Sequence, residues 1–94
     1  MKKVVNILGL NYEILKVNQI DKDTRIIGQI DYLNQTIKIE NGLNEEKEKV
    51  TLIHETIHGI LHQLGFDEQS DEKLIQSLAT GLYQVLKENK TIFS

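Results

Sequence analysis

The 94-residue sequence contains no cysteine. A disulfide framework and a thiolate zinc finger are therefore both excluded as sources of stability or chemistry. Any metal ion that the chain binds must be held by histidine and carboxylate side chains. No apolar run approaches the roughly 20 residues that a membrane-spanning helix requires. We therefore expect no membrane segment and a cytoplasmic protein.

Basic residues are neither in excess nor clustered. The chain has 11 lysines and arginines against 14 acidic residues, which gives a formal net charge of -3. Because the lysines are scattered rather than gathered into a stripe, the attraction that drives non-specific nucleic-acid binding is missing. We expect nucleic acid not to be a partner. The amino terminus is interrupted by Asn6 and Asn11 and is interpreted as a strand rather than a signal peptide.

Composition and length favour one small globular domain. Apolar residues make up 39% of the chain and charged residues 27%, which is ordinary for a folded protein. A chain of this length has room for one modest core. We predict a single domain over residues 1–94.

The first 40 residues carry short runs rich in β-branched residues, separated by turn-forming residues. The runs are residues 4–8, 12–17, 26–32 and 36–40. They predict two antiparallel hairpins. In the last run Ile37 and Ile39 alternate with polar residues, as expected for a half-buried strand.

From Asn44 onward the apolar residues recur at spacings of three and four, which predicts helices. The first helix is predicted over residues 44–64, with Asn44 as N-cap and Gly65 in the closing left-handed position. The second is predicted over residues 70–88, with Ser70 as N-cap. Its predicted buried face comprises Leu74, Leu78, Leu82, Val85 and Leu86. The predicted class is α+β, a small antiparallel sheet of three to four strands followed by two packed helices.

Two histidines lie one turn apart on the first predicted helix. His54 and His58 are separated by about 40° around the axis and about 6 Å along it, so their rings converge on one point. A catalytic zinc ion takes three protein ligands and a water. We predict that His54 and His58 are two of these ligands.

Glu55 is the candidate general base. It is rotated about 100° from His54 on the helix, too far to join the ligands easily but close enough to reach a water at the metal. A carboxylate in that place can take the proton from a water that attacks a polarised carbonyl. A metal ion, its bound water and a carboxylate base are the groups that peptide-bond hydrolysis requires, so this is the predicted reaction. The five-residue pattern arises by chance in roughly one in a hundred such sequences. In that case Glu55 and the two histidines would be ordinary helix-surface residues, and this alternative stays open.

The third zinc ligand must come from another element. The start of the second helix follows a tight turn and packs beside the first, which makes Glu72 the best candidate, with Glu68 and Asp67 as alternatives. Glu72 also has an ordinary interpretation as a favourable charge in a first helical turn. His62 lies about 12 Å along the axis from His54, so we predict a supporting or structural role rather than ligation.

The segment His54-Glu55-x-x-His58-x-x-Leu61-His62 resembles the helix signature of the ImmA/IrrE metallopeptidase family, which belongs to the gluzincins. Residues 72–79 are similar to the pattern of the family's second helix, with Glu first, Asn four residues later and Ala at seven. Gln76 stands here where the family usually has Asn, and Ile57 where it often has Gly. The resemblance implies a zincin-like fold with Glu72 as the third ligand.

The same resemblance implies the kind of substrate. In that family an edge strand of the sheet binds substrate backbone by strand addition, which would fall here on residues 36–40. Members are often encoded on phages and other mobile elements beside a repressor, and some act on it. A protein or peptide partner such as a repressor is therefore the expected substrate.

Other functions stay open at this point. The chain can be a zinc-binding interaction module, in which the metal chiefly holds the two helices together, or a metal-free accessory protein that preserves the scaffold. Tyr83 on the second helix is either a residue that stabilises the oxyanion or a core residue with its hydroxyl at the rim.

Overall fold

The computed structural model describes residues 2–23 and 25–94. Four strands come first: β1 (Lys3–Ile7), β2 (Leu10–Val17), β3 (Gly28–Asp31) and β4 (Thr36–Glu40). They are followed by α1 (Glu45–Leu64), a 3-10 helix (Asp67–Ser70), α2 (Glu72–Glu88) and the short α3 (Lys90–Phe93). The predicted α+β class, a small sheet followed by two packed helices, is confirmed.

The sheet is mixed because its two hairpins join through a parallel pair. Its strand order is β1-β2-β4-β3. Both predicted hairpins are antiparallel, but β2 and β4 run parallel, with Ile14 opposite Ile37. A parallel pair needs a long crossover, which residues 18–35 supply. The expectation that residues 36–40 form an edge strand is wrong, because β4 is paired on both sides and the edge strands are β1 and β3.

The main core lies between the sheet and α1. Ile37 and Ile39 are 0% and 1% exposed, as their alternation predicts, and they cluster with Ile7 and Tyr12. Gly59 lets the helix come close to the sheet, since a Cβ atom there would lie only 2.8 Å from Cδ1 of Ile7. This close approach positions the α1 side chains that face β3.

The ends of α1 follow the predicted caps, and the start of α2 does not. The Asn44 side chain accepts a hydrogen bond from the Lys47 N–H at 2.8 Å, and Gly65 has a φ of 78°. At α2 the N-cap is Asp71, whose carboxylate accepts from the Leu74 N–H at 3.0 Å. The prediction of Ser70 is wrong because Ser70 ends the preceding 3-10 helix.

The buried face of α2 is also different from the prediction. The residues that pack on α1 are Ile75 and Ala79, which meet Ile57. The predicted apolar face remains 38–48% exposed at Leu74, Leu78, Leu82, Val85 and Leu86. The helix is rotated so that Glu72 and Gln76 face α1 together with Ile75 and Ala79. Among the helices within residues 2–23 and 25–94, none combines the length and apolarity needed to cross a bilayer.

Candidate metal centre

The two histidines of α1 converge as their spacing predicts. The Nε2 atoms of His54 and His58 lie 3.2 Å apart, and the ring centroids are separated by 4.9 Å. Their side chains are only 12% and 10% exposed. The rings therefore present two nitrogen atoms to one small volume beside the helix.

Glu72 completes the group from α2. Its Oε2 atom lies 3.0 Å from Nε2 of His54, and its Oε1 atom lies 2.7 Å from Nε2 of His58. Asp71 caps the helix one residue earlier, which places Glu72 in the first turn, opposite the histidines. Within the described part of the chain, these three residues form the one cluster whose ligand atoms lie within 4.8 Å of one another. The alternatives Glu68 and Asp67 lie in the 3-10 helix, outside the cluster.

Two carbonyl groups fix the orientation of the imidazole rings. Nδ1 of His54 lies 2.7 Å from the side-chain Oε1 of Gln76, and Nδ1 of His58 lies 2.5 Å from the backbone oxygen of Gln69. A carbonyl oxygen only accepts, so each Nδ1 carries the donated hydrogen. In the neutral rings, both Nε2 lone pairs then point at the shared volume.

The cluster consists of acceptors that face one another. The Glu72 carboxylate lies 3.0 and 2.7 Å from the two Nε2 atoms, which are 3.2 Å apart, and the neutral rings offer it no N–H. Such an arrangement needs a proton or a cation to be favourable. Tetrahedral zinc, with ligands at about 2.0–2.2 Å, holds them about 3.3 Å apart, and two histidines with one glutamate are a known catalytic zinc set. The residues present therefore fit zinc.

Glu55 is buried beside the cluster without belonging to it. It is 6% exposed and packs beneath β3, where a Cβ atom on Gly28 would lie 2.9 Å from its Oε2. Burial, with a further contribution from the charge of Glu72, raises the pKa of Glu55. The two histidines and the Ile30 N–H oppose this shift. Glu55 is thus set apart from the three ligand candidates, as the proposed role of a base requires.

Tyr32 and Gln69 contribute to the site, although no sequence signal marked either. The Tyr32 hydroxyl lies 3.4 Å from the backbone oxygen of His58 and 3.5 Å from Oε1 of Gln69. Its ring stacks on His62, with centroids 3.7 Å apart and planes within 6°. Burial, followed by the charge of Glu55, raises the pKa of Tyr32 above its usual value, so the phenol stays protonated at neutral pH. His62 lies outside the ligand cluster and supports this wall of the site.

Tyr83 is not brought to the metal centre. It borders a separate pocket between α1 and α2 with Ile53 and Leu86, and the Lys87 ammonium lies 5.8 Å from its ring centroid. This placement argues against an oxyanion role for Tyr83.

The ligand cluster opens into a cleft of about 480 Å³ between α1 and β3. One wall is the face of α1 that carries Lys47, Thr51 and Glu55, and the other is residues 25–30. Gly28 lies beside Thr51 and Glu55. Ile30 lies beside Gly59, farther along the helix. Strand and helix therefore run in the same direction along the cleft.

Comparisons with protein-family models, with curated proteins and with solved structures find no match to this chain. The resemblance to the ImmA/IrrE family therefore rests on the two helix motifs alone. The function is inferred from the geometry of the site.

Proposed function

We propose that this chain is a zinc-dependent peptidase in which His54, His58 and Glu72 hold the metal and Glu55 is the general base. The observation that carries the proposal is the convergence of two imidazole lone pairs and a carboxylate, 2.7–3.2 Å apart, with each ring fixed by a carbonyl on its other nitrogen. Carbonyl partners of this kind orient metal-binding histidines and raise their basicity.

Each residue then has a defined task. Bound zinc supplies a Lewis acid for the carbonyl and lowers the pKa of water to about 7. Glu55 accepts the proton of the attacking water and delivers it to the leaving amine. Gly28 leaves the space that the Glu55 carboxylate occupies beneath β3.

The free edge of β3 offers a place for the substrate backbone. Ile27 is hydrogen-bonded across to Glu40, so alternate residues along β3 face β4. The intervening Gly28 and Ile30 direct their backbone groups toward the open edge. The Ile30 N–H already meets the Glu55 carboxylate there, so the Gly28 N–H and the two C=O groups are the ones offered to a peptide. A peptide can add to this edge as an extended strand next to the ligand cluster.

The resemblance to the ImmA/IrrE family supports the same activity and extends it. By that analogy, the substrate is a cytoplasmic protein or peptide such as a repressor, encoded beside the peptidase on a phage or other mobile element. Neither nucleic acid nor a membrane is needed as a partner.

The decisive experiment is Glu55→Gln. The variant should retain about one zinc per chain by elemental analysis and lose at least about 100-fold in hydrolysis of quenched fluorescent peptides. Glu68→Gln, outside the cluster, is the matched control and should keep both metal and activity. Undiminished hydrolysis by Glu55→Gln would exclude Glu55 as the base.

A second candidate is a zinc-binding interaction module. It is favoured by the small contact between the helices, since only Ile75 and Ala79 of α2 are buried. A metal that joins Glu72 to α1 would add much to this docking. Zinc-loaded protein that binds a partner protein without cleaving any peptide would favour the module. Absence of zinc after reconstitution would favour a metal-free scaffold.

A further inference from the structure

The cleft continues beyond the ligand cluster to an end lined by two cations, Arg25 and Lys47. Lys47 precedes His54 by seven residues, which corresponds to about 10.5 Å along α1. Arg25 lines the same cleft three residues before the start of β3 at Gly28, and three residues span at most about 10 Å. Because β3 and α1 run in the same direction, both displacements lead to the same end of the cleft.

These two cations are available to a ligand. Two of the three acidic residues in the first turn of α1 are paired with other lysines: Glu45 lies 2.9 Å from Lys49, and Glu48 lies 2.8 Å from Lys16. Among residues 2–23 and 25–94, no ion pair includes Lys47 or Arg25. The nearby amino-terminal end of α1 adds a positive partial charge.

The direction of an added strand determines which part of a substrate reaches this end. Antiparallel pairing is the more stable arrangement, and a peptide antiparallel to β3 also runs opposite to α1. Its carboxyl-terminal side then passes from the ligand cluster toward Lys47. The distance of about 10 Å from His54 to Lys47 along α1 corresponds to about three residues of an extended peptide.

We propose that Lys47 and Arg25 form a subsite for a carboxylate on the substrate, at the third residue after the cleaved bond. This inference rests on the proposed peptidase function and names the substrate class, a peptide that is acidic on the carboxyl-terminal side of the cut. The carboxylate comes from an aspartate or glutamate side chain or from the end of the substrate chain.

Peptide hydroxamates test the subsite because the hydroxamate chelates zinc and so fixes the register. The probes carry hydroxamate followed by Leu-Ala-Glu amide, Leu-Ala-Gln amide or Leu-Ala-Gln free acid, and binding to the zinc-loaded protein is measured by calorimetry. A carboxylate compound should bind roughly three- to tenfold more tightly than the neutral amide. Comparison of the Glu amide with the Gln free acid shows whether the subsite prefers a side-chain carboxylate or the terminal carboxylate of the peptide. The preference should shrink at about 1 M salt, where the Debye length is about 3 Å.

Variants identify the source of the preference. The double variant Arg25→Gln, Lys47→Gln should bind all three compounds equally. Lys49→Gln removes a lysine that borders the other pocket, so it should keep the preference. Equal binding of the three compounds by the wild type, or a preference that survives in the double variant, overturns the subsite alone. Failure of zinc-loaded protein to bind any hydroxamate overturns the peptidase proposal and the subsite together.

Discussion

Oε1 of Gln76 lies 2.7 Å from Nδ1 of His54, so a side chain of α2 orients a metal-ligand candidate on α1. Glu72 approaches the same ring from the other side, with Oε2 3.0 Å from Nε2. The two α2 residues are one helical turn apart, and together they fix both the position and the tautomer of His54. Docking of α2 therefore completes the ligand group.

Gln76→Leu should weaken zinc binding without removing a ligand. The His54 ring loses its acceptor and is free to turn or change tautomer, so we expect zinc affinity to fall about 10- to 100-fold. Competition with a chromophoric zinc chelator measures the change. Gln84→Leu, an exposed position farther along α2, is the matched control and should bind zinc normally. Equal affinity of the two variants would show that Gln76 does not support the site.

Zinc should stabilise the folded chain strongly. A ligand that binds only the native state at 100 times its dissociation constant adds about 2.7 kcal/mol to the free energy of unfolding, which for a small domain raises Tm by roughly 10–20 °C. Differential scanning fluorimetry with zinc and with EDTA measures this shift. We expect it to disappear in His58→Ala, because one nitrogen ligand is lost.

In the same thermal experiment, His62→Ala tests whether His62 binds the metal or only stabilises the fold. Its ring stacks on Tyr32 and lies outside the ligand cluster. The variant should therefore melt at a lower temperature but keep the full zinc-dependent rise in Tm. A zinc-independent Tm in His62→Ala would assign His62 to the metal and contradict the proposed ligand set.

The local parts of this site follow from the sequence because they depend on helical spacing. The convergence of His54 and His58 needs only one turn of helix. The placement of Glu72 needs a second helix that begins after a tight turn. Asn44 and Gly65 mark the ends of α1 by side-chain and backbone chemistry that is also local.

The non-local parts do not follow from the sequence. Alternation in residues 36–40 shows which face of β4 is buried but not which strands are its neighbours, so the parallel pairing with β2 and the edge position of β3 are not encoded in the pattern. The carbonyl of Gln69 that orients His58 is a backbone group. Since nearly every residue type offers the same carbonyl, the sequence does not indicate this role. The helix α2 turns Ile75 and Ala79 toward α1 and leaves the larger leucine stripe partly exposed, which the apolar pattern alone does not predict.

The stack of Tyr32 on His62 should contribute measurable coupling. The rings are 3.7 Å apart and nearly parallel, and such pairs contribute about 0.5–1.5 kcal/mol beyond the area they bury. A double-mutant cycle with Tyr32→Ala and His62→Ala, read by urea unfolding of the zinc-free protein, should give a coupling energy in that range. Tyr32→Phe keeps the ring and serves as the control for the hydroxyl. A coupling near zero would mean that the two rings are adjacent without stabilising each other.

At Gly28 the strand β3 lies directly against α1 side chains. A Cβ atom there would lie 2.5 Å from Cγ2 of Thr51 and 2.9 Å from Oε2 of Glu55. The Thr51 side chain has little freedom to move, because its hydroxyl donates to the Lys47 carbonyl at 2.7 Å. Either α1 moves away from the strand or Glu55 leaves its place.

Gly28→Ala should therefore lower the free energy of unfolding by about 1–3 kcal/mol, as overpacking does, and should also reduce hydrolysis because Glu55 is displaced. Adding Thr51→Ser removes Cγ2 but keeps the hydroxyl, so it should restore part of the stability and leave hydrolysis low. Gly81→Ala is the matched control: nothing lies within 4 Å of a Cβ atom there, and inside a helix the change should stabilise by about 0.5–1 kcal/mol. Urea unfolding and peptide hydrolysis measure the two effects separately. A Gly28→Ala variant with normal stability and normal hydrolysis would contradict the tight fit of Glu55 beneath β3.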